Sequence, residues 1–103
     1  MVKLNQEKFN ILRKIDRKPN FSQREMAKDL DLSLGKINYC LDELRKKGLL
    51  KLQNFTNNPK KSKYIYVLTP KGISEKTRMT VDFMKRKMQE YDELKKELNE
   101  DRY

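Results

Sequence analysis

Residues 22–50, SQREMAKDLDLSLGKINYCLDELRKKGLL, contain two helix-start patterns in close succession. Ser22 followed by Glu25 forms a capping box, in which side chains satisfy the N–H groups of a helix's first turn. Ser33 provides a second cap, and residues 29–31 between the two predicted helices leave room for little more than a tight corner. The stretch therefore predicts a helix, a tight turn and a second helix.

A helix is predicted before this stretch and a β-hairpin after it. Asn5 is a favourable cap for the first helix, which is expected to end before Pro19. Gly48 ends the second helix of the pair, and the apolar period then changes from 3.6 to 2, which is typical of strands. One strand is LLKLQNF and the other is YIYVL, with a polar loop at residues 56–63 between them. This order indicates a winged helix-turn-helix, in which the third helix enters the DNA major groove and the hairpin loop is the wing.

A long helix follows the hairpin. Thr69 caps it, Pro70 occupies its first position, and it is expected to reach about Leu98. At 1.5 Å per residue its length of about 43 Å exceeds the width of such a small domain, so part of it must leave the core. The expected fold is mostly α with a small β-hairpin. It comprises a DNA-binding domain at residues 1–69 and a dimerisation helix at residues 70–103.

The composition indicates a polyanion-binding domain and argues against an enzyme. The 103 residues suffice for one core, and residues 1–69 carry 16 Lys/Arg against 7 Asp/Glu. This excess indicates nucleic acid rather than a membrane surface as the partner, since none of the basic segments pairs with a Trp/Phe-rich insertion face. No apolar run is long enough to span a bilayer. The absence of histidine excludes His-based catalysis and His-ligated metals, so no cofactor is expected. The single cysteine, Cys40, fits a reducing cytoplasm.

The predicted helix at residues 33–47 has one apolar side and one side suited to DNA. The apolar side, expected to hold the helix to the core, is formed by Leu34, Ile37, Leu41 and Leu44. On the other side, an asparagine can bond bidentately to adenine, a lysine can reach guanine or phosphate, and a tyrosine can contact phosphate or a thymine methyl. A glycine allows close approach, and the N–H groups at the start of the preceding helix suit a phosphate. The candidate DNA contacts are Ser22, Gln23, Gly35, Lys36, Asn38 and Tyr39, with Lys60, Lys61 and Lys63 in the basic wing at residues 55–63.

These residues also have structural interpretations. Asn38 and Tyr39 could be ordinary solvent-facing side chains, and wing lysines can serve to keep the edge of a hairpin from aggregating. Cys40 borders the apolar side and is interpreted as a small core residue rather than a redox sensor. Two functional alternatives also stay open at this stage: a protein-interaction module for an acidic partner and a sequence-independent nucleic-acid binder.

Residues 22–50 resemble the helix-turn-helix of MarR-type winged-helix regulators. Together with residues 68–98, LTPKGISEKTRMTVDFMKRKMQEYDELKKEL, they resemble the small MarR-like regulators associated with bacterial exopolysaccharide gene clusters. The resemblance implies a bacterial transcriptional regulator of double-stranded DNA, and Ser33, Lys36, Asn38 and Tyr39 match the family's DNA-reading positions. The wing lacks the Asp/Arg pair that is common in larger MarR proteins, and few residues precede the first helix. Dimerisation would therefore rest on the C-terminal helix, and no effector is assigned.

That helix carries an apolar seam with heptad spacing, interrupted at Lys95. We call it the α4 seam, and it comprises Val81, Met84, Met88, Tyr91, Leu94 and Leu98, of which Leu94 flanks the row. Residues 70–87 hold 6 Lys/Arg against 2 acids and residues 88–103 hold 3 against 6, so antiparallel pairing aligns opposite charges. The alternative, in which the seam folds back on the first helix, would leave much of it uncovered. The sequence thus predicts a homodimer that presents two recognition helices to half-sites about 34 Å apart or a multiple of it.

Overall fold

The structure is a computed structural model that describes residues 5–18, 20–54 and 64–100. Its elements are α1 (Gln6–Arg17), α2 (Gln23–Leu30), α3 (Leu34–Lys46), β1 (Leu50–Asn54), β2 (Tyr64–Leu68) and α4 (Pro70–Glu100). This order confirms the predicted fold class, a mostly α chain with a small β-hairpin and a long C-terminal helix. The wing at residues 55–63, with Lys60, Lys61 and Lys63, lies outside the described residues.

Side-chain caps begin the first three helices, as their sequences predict. The Asn5 carboxamide accepts a hydrogen bond from the backbone N–H of Lys8 at 2.9 Å. The hydroxyls of Ser22 and Ser33 accept from the third residue of α2 and α3, each at 3.1 Å. Between these two helices, Asp31 has a left-handed backbone with φ of 54°, a conformation that a short polar side chain tolerates better than most. The corner between α2 and α3 is therefore tight, as the sequence predicts, but it lies at residues 31–33 rather than 29–31, because α2 continues through Leu30.

The core is formed where α1, α2, α3 and β1 meet, and most of it comes from aliphatic side chains. Its buried cluster comprises Ile11, Leu12, Ile15, Met26, Ile37, Cys40, Leu41, Leu44, Leu49 and Leu50. Cys40 is 1% exposed, which confirms its interpretation as a core residue. The inward placement of Leu34 was wrong, because its side chain is 39% exposed. At about 100° per residue, Leu34 lies roughly 60° from Ile37 on the side opposite Cys40, so it sits at the edge of the buried face.

The two strands form an antiparallel hairpin in which Leu50 pairs with Leu68 and Asn54 pairs with Tyr64. Leu50 is buried, whereas the other four residues of β1 are exposed. The end of the hairpin near Leu50 is thus anchored in the core, and the strands lead away from it toward the wing.

The start of α4 is fixed against the end of α3 through what we call the α3–α4 junction. The Thr69 hydroxyl donates a hydrogen bond to the Gly48 carbonyl and accepts one from the Gly72 N–H at 3.0 Å. The Thr69 N–H donates to the Leu49 carbonyl at 3.1 Å. Gly72 approaches so closely that a Cβ at this position would overlap the Leu49 carbonyl oxygen. The long helix therefore begins in a defined position relative to α3.

Beyond its first four turns, α4 leaves the rest of the molecule. Phe83 is the last of its residues that is not fully exposed, and its ring lies 6.2 Å from that of Phe9 on α1. Residues 84–100 are exposed throughout, and the longest dimension of the molecule is 71 Å. The helix is long but highly charged, and among the described residues no helix is apolar enough over sufficient length to cross a membrane.

Candidate nucleic-acid interface

The side of α3 that faces away from the core presents a continuous row of side chains, which we call the outer ridge. It comprises Gly35, Tyr39, Asp42 and Lys46, which lie opposite the buried positions of the helix, and Asn38, which lies at its edge. Tyr39 is 57% exposed although it is a large aromatic residue, and no atom lies near the position of a Cβ on Gly35. The exposure of Gly35, Asn38 and Tyr39 agrees with the sequence prediction, and their contact with DNA remains a prediction.

The starts of α2 and α3 contribute the predicted serines. Ser22 and Ser33 are exposed, and Gln23 is half-buried. Because each serine hydroxyl satisfies one N–H group of its helix, the remaining first-turn N–H groups point outward along the helix axis. Both helix starts have the polarity that favours an anion, which is the property that the prediction of phosphate contacts requires.

Lys36 is turned toward α1 rather than along the outer ridge. Its ammonium lies 3.3 Å from a carboxylate oxygen of Glu7 and 6.0 Å from the centre of the Tyr39 ring. The ammonium of Lys8, also from α1, lies 5.9 Å from the same ring. At about 100° per residue, Lys36 projects from the flank of α3 that α1 approaches. The sequence prediction placed Lys36 with Asn38 on one outward face, and the contact with Glu7 corrects that placement.

Lys8 is a candidate that the sequence prediction missed. It extends the positive charge around Tyr39 onto a helix outside the helix-turn-helix. Its position on α1 has no motif to mark it, because its proximity to Tyr39 depends on how α1 packs against α3. A lysine three residues after a helix cap is in itself common, so the sequence offers no usable signal for this contact.

The middle and end of the outer ridge carry a three-residue charge cluster. The carboxylate of Asp42 lies 2.9 Å from the Lys46 ammonium and 3.3 Å from the Arg45 guanidinium. The hydrogen bond from Lys46, assisted by Arg45, lowers the pKa of Asp42 below its usual value, and the same bond raises the pKa of Lys46. Asp42 is thus ionised at neutral pH. The i, i+3 and i, i+4 spacing of these residues is a signal that could have identified the cluster from sequence.

Cys40 lies beneath the ridge and is not part of it. Burial raises the pKa of the Cys40 thiol, an effect that the neighbouring Lys36 partly offsets. The thiol is therefore protonated at neutral pH, and a protonated buried thiol is a poor nucleophile. This chemistry agrees with its place in the core.

Sequence comparison identifies the helix-turn-helix portion of the chain. Residues 4–51 match a family model described as winged helix-turn-helix DNA-binding. These residues span α1, the two helices of the predicted motif and the first residues of β1. Among curated proteins, none matches this sequence.

Solved structures extend the similarity over almost the whole chain. MepR of S. aureus superposes with a TM-score of 0.74 at 20% identity, covering 94% of this chain and 71% of its own. A variant of Lactococcus lactis ZitR, a zinc-responsive MarR family member, superposes with a TM-score of 0.71 at 21% identity, covering 93% of this chain. The fold is a winged helix-turn-helix like that of the MarR regulators. The PcaV transcriptional regulator from Streptomyces coelicolor, at 15% identity and a TM-score of 0.67, covers 95% of this chain and 76% of its own.

The chain spans 63% of the length of the ZitR chain. At these identities the superpositions establish a shared fold. The family model supports a winged helix-turn-helix DNA-binding domain, in agreement with the DNA partner that the sequence predicts.

The long helix leaves its predicted seam uncovered in the single chain. Exposure of the α4 seam rises from 44% at Val81 to 68% at Leu98. The side of α4 that contacts the domain is a different one, formed by Gly72, Met79 and Phe83. The alternative in which the seam folds back on α1 is therefore wrong for this structure.

Proposed function

We propose that this chain is a sequence-specific DNA-binding transcriptional regulator that inserts α3 into the major groove and lays its basic wing at residues 55–63 on the DNA backbone. The observation that carries the proposal is the outer ridge of α3. It exposes an amide, a phenol and a bare glycine backbone on the helix that reads DNA in proteins of this fold class.

The chemistry of the ridge suits base edges. Asn38 is placed to bond bidentately to adenine, and Gly35 lets the backbone of α3 approach the groove closely. Tyr39, flanked by two lysine ammonium groups, is placed to contact a phosphate or a thymine methyl. In the complex, Lys36 exchanges its Glu7 partner for a phosphate or a guanine.

Replacement of Asn38 by alanine tests base reading. We expect Asn38→Ala to weaken binding to the cognate site by about 1–3 kcal/mol and to weaken binding to random DNA less, because the bidentate bonds to adenine are removed. Fluorescence anisotropy on both DNAs at one salt concentration measures the difference. Asn99→Ala, an exposed substitution near the far end of α4, is the matched control. Equal losses of affinity for the two DNAs would show that Asn38 contacts the DNA backbone and not a base.

Replacement of the wing lysines tests backbone binding. The triple variant Lys60→Ala, Lys61→Ala and Lys63→Ala should weaken binding to all DNA sequences about equally. It should also flatten the slope of log affinity against log salt by roughly 0.9 for each phosphate that the wing no longer neutralises. The control is a double variant on α4, Arg86→Ala with Lys96→Ala, which removes positive charge from the side of the helix outside the seam. If the slope of log affinity against log salt is unchanged in the wing variant, the wing does not touch DNA.

The same proposal assigns residues 1–69 to DNA binding and residues 70–103 to assembly. We propose a homodimer joined through the α4 seam. Its support is a row of exposed apolar side chains on a helix that extends beyond its own domain. The basic first half and acidic second half of α4 favour antiparallel pairing, although exposed ion pairs contribute little energy and salt screens them.

Two alternatives make different predictions in one competition experiment. A protein-interaction module binds neither a cognate promoter fragment nor random DNA, and a sequence-independent binder holds both equally. The proposed regulator prefers the promoter fragment. The similar structures are transcription regulators, which supports a non-enzymatic role without a cofactor.

The resemblance of residues 68–98 to the small MarR-like regulators of exopolysaccharide gene clusters suggests where the regulator acts. We infer a bacterial cytoplasmic protein whose target promoter lies in such a cluster. Purified protein and fragments of the host genome, sequenced after capture, test that inference. Enrichment of unrelated promoters would exclude it.

A further inference from the structure

The outer ridge contains one carboxylate, which is an unexpected group on a surface that faces DNA. Asp42 lies between Tyr39 and Lys46 on the ridge, and its side chain is 43% exposed. The other acidic residue of α3, Glu43, projects from the flank of the helix rather than from the ridge. Near the phosphates, an exposed carboxylate weakens binding through charge repulsion, so its place on the ridge calls for a different partner.

The base edges in the major groove supply such a partner. Cytosine presents an amino group there, and a carboxylate is the side chain that most directly accepts its hydrogen bond. Asp42 is suited to this role because Lys46 and Arg45 hold it in its ionised, acceptor-only form. The two cations also offset the repulsion between Asp42 and the DNA backbone.

We propose that Asp42 is a specificity-determining residue that accepts a hydrogen bond from the amino group of a cytosine in the major groove. The proposal rests on the proposed function and adds a second base-reading residue to Asn38. The two side chains lie four residues apart, or about 6 Å along the helix axis. That distance is close to two base-pair steps of about 3.4 Å, so the cytosine should lie within about two base pairs of the adenine read by Asn38.

The experiment is selection of bound sequences from a random DNA pool with the full-length wild type, Asp42→Ala and Asp42→Asn. The wild type should select a fixed cytosine, and replacement of that base should weaken binding roughly 10-fold or more. In Asp42→Ala the preference at that base pair should fall below about 3-fold, while the preference for the nearby adenine is retained. In Asp42→Asn the preferred base should change from cytosine to adenine, because an amide can both donate to and accept from adenine.

Asp92→Asn is the matched control, since it makes the same change of charge at an exposed site on α4. Melting curves of all variants check the fold, which should be preserved because Asp42 lies outside the buried core. If both Asp42 variants bind every sequence more tightly and select the same site as the wild type, Asp42 only neutralises its neighbours and the proposal is overturned. If the wild type selects no sequence at all, the proposed function fails and this assignment fails with it.

Discussion

Met88→Glu is expected to convert a dimer into a folded monomer and to lower affinity for a palindromic operator by about 10²–10⁴-fold. Met88 lies near the middle of the α4 seam and is 62% exposed in the single chain. In the proposed dimer it is buried against apolar side chains of the second copy, where an unpaired carboxylate is costly. Affinity falls because the second domain of a dimer binds its half-site at a high effective concentration once the first is bound, and a monomer loses this advantage. Sedimentation at micromolar concentration and operator binding measure the two effects together.

The control for this variant is Gln89→Glu, which adds the same charge one residue away on a side of α4 outside the seam. It should sediment and bind as the wild type does. Leu98→Glu, at the far end of the seam, should repeat the effect of Met88→Glu. A wild-type protein that sediments as a monomer, yet binds a palindromic site tightly and without cooperativity, would rule out the α4 dimer.

Gly72→Ala is expected to destabilise the fold by about 1–3 kcal/mol or more, even though alanine is the better helix former. The added Cβ would overlap the Leu49 carbonyl oxygen, and this backbone atom cannot move aside as a flexible side chain could. To relieve the overlap, α4 must shift away from the end of α3 and loosen the hydrogen bonds of Thr69. Thermal unfolding followed by circular dichroism measures the effect, at roughly 4–8 °C for each kcal/mol in a domain of this size.

Gly35→Ala is the matched control, because it makes the same change in a helix where the Cβ meets no atom within 4 Å. Its stability should equal or exceed that of the wild type by up to about 1 kcal/mol. If Gly72→Ala is as stable as Gly35→Ala, the close approach of Gly72 to Leu49 does not contribute to the stability of the fold.

The features that the sequence predicted correctly are those that local chemistry determines. The caps at Asn5, Ser22 and Ser33 were readable because a cap bonds to N–H groups of its own helix. The buried side of α3 was largely readable because its apolar spacing follows the helical period. The length of α4 was predicted because no proline, which would end or kink a helix, follows Pro70 in its sequence.

The features that the sequence did not reveal depend on contacts between elements. The orientation of Lys36 is set by Glu7, which lies 29 positions earlier in the chain and meets it when α1 packs on α3. The approach of Gly72 to Leu49 likewise has no local pattern, since a glycine in the first turn of a helix has many uses. Leu34 was misplaced because the apolar period specifies a direction around the helix and not where the core ends.

In the proposed α4 dimer, the α3–α4 junction lets the long helix set the distance between the two DNA-reading helices. Because Thr69 and Gly72 fix the start of α4 to the end of α3, the domain has little freedom to swivel about its own helix. In an α4 dimer, the separation of the two reading helices is then set by which heptads meet. A slip of one heptad moves the domains by about 10 Å, or about three base pairs. Regulators of this type could therefore evolve to new spacer lengths between half-sites through the long helix alone, while every residue that reads a base stays the same.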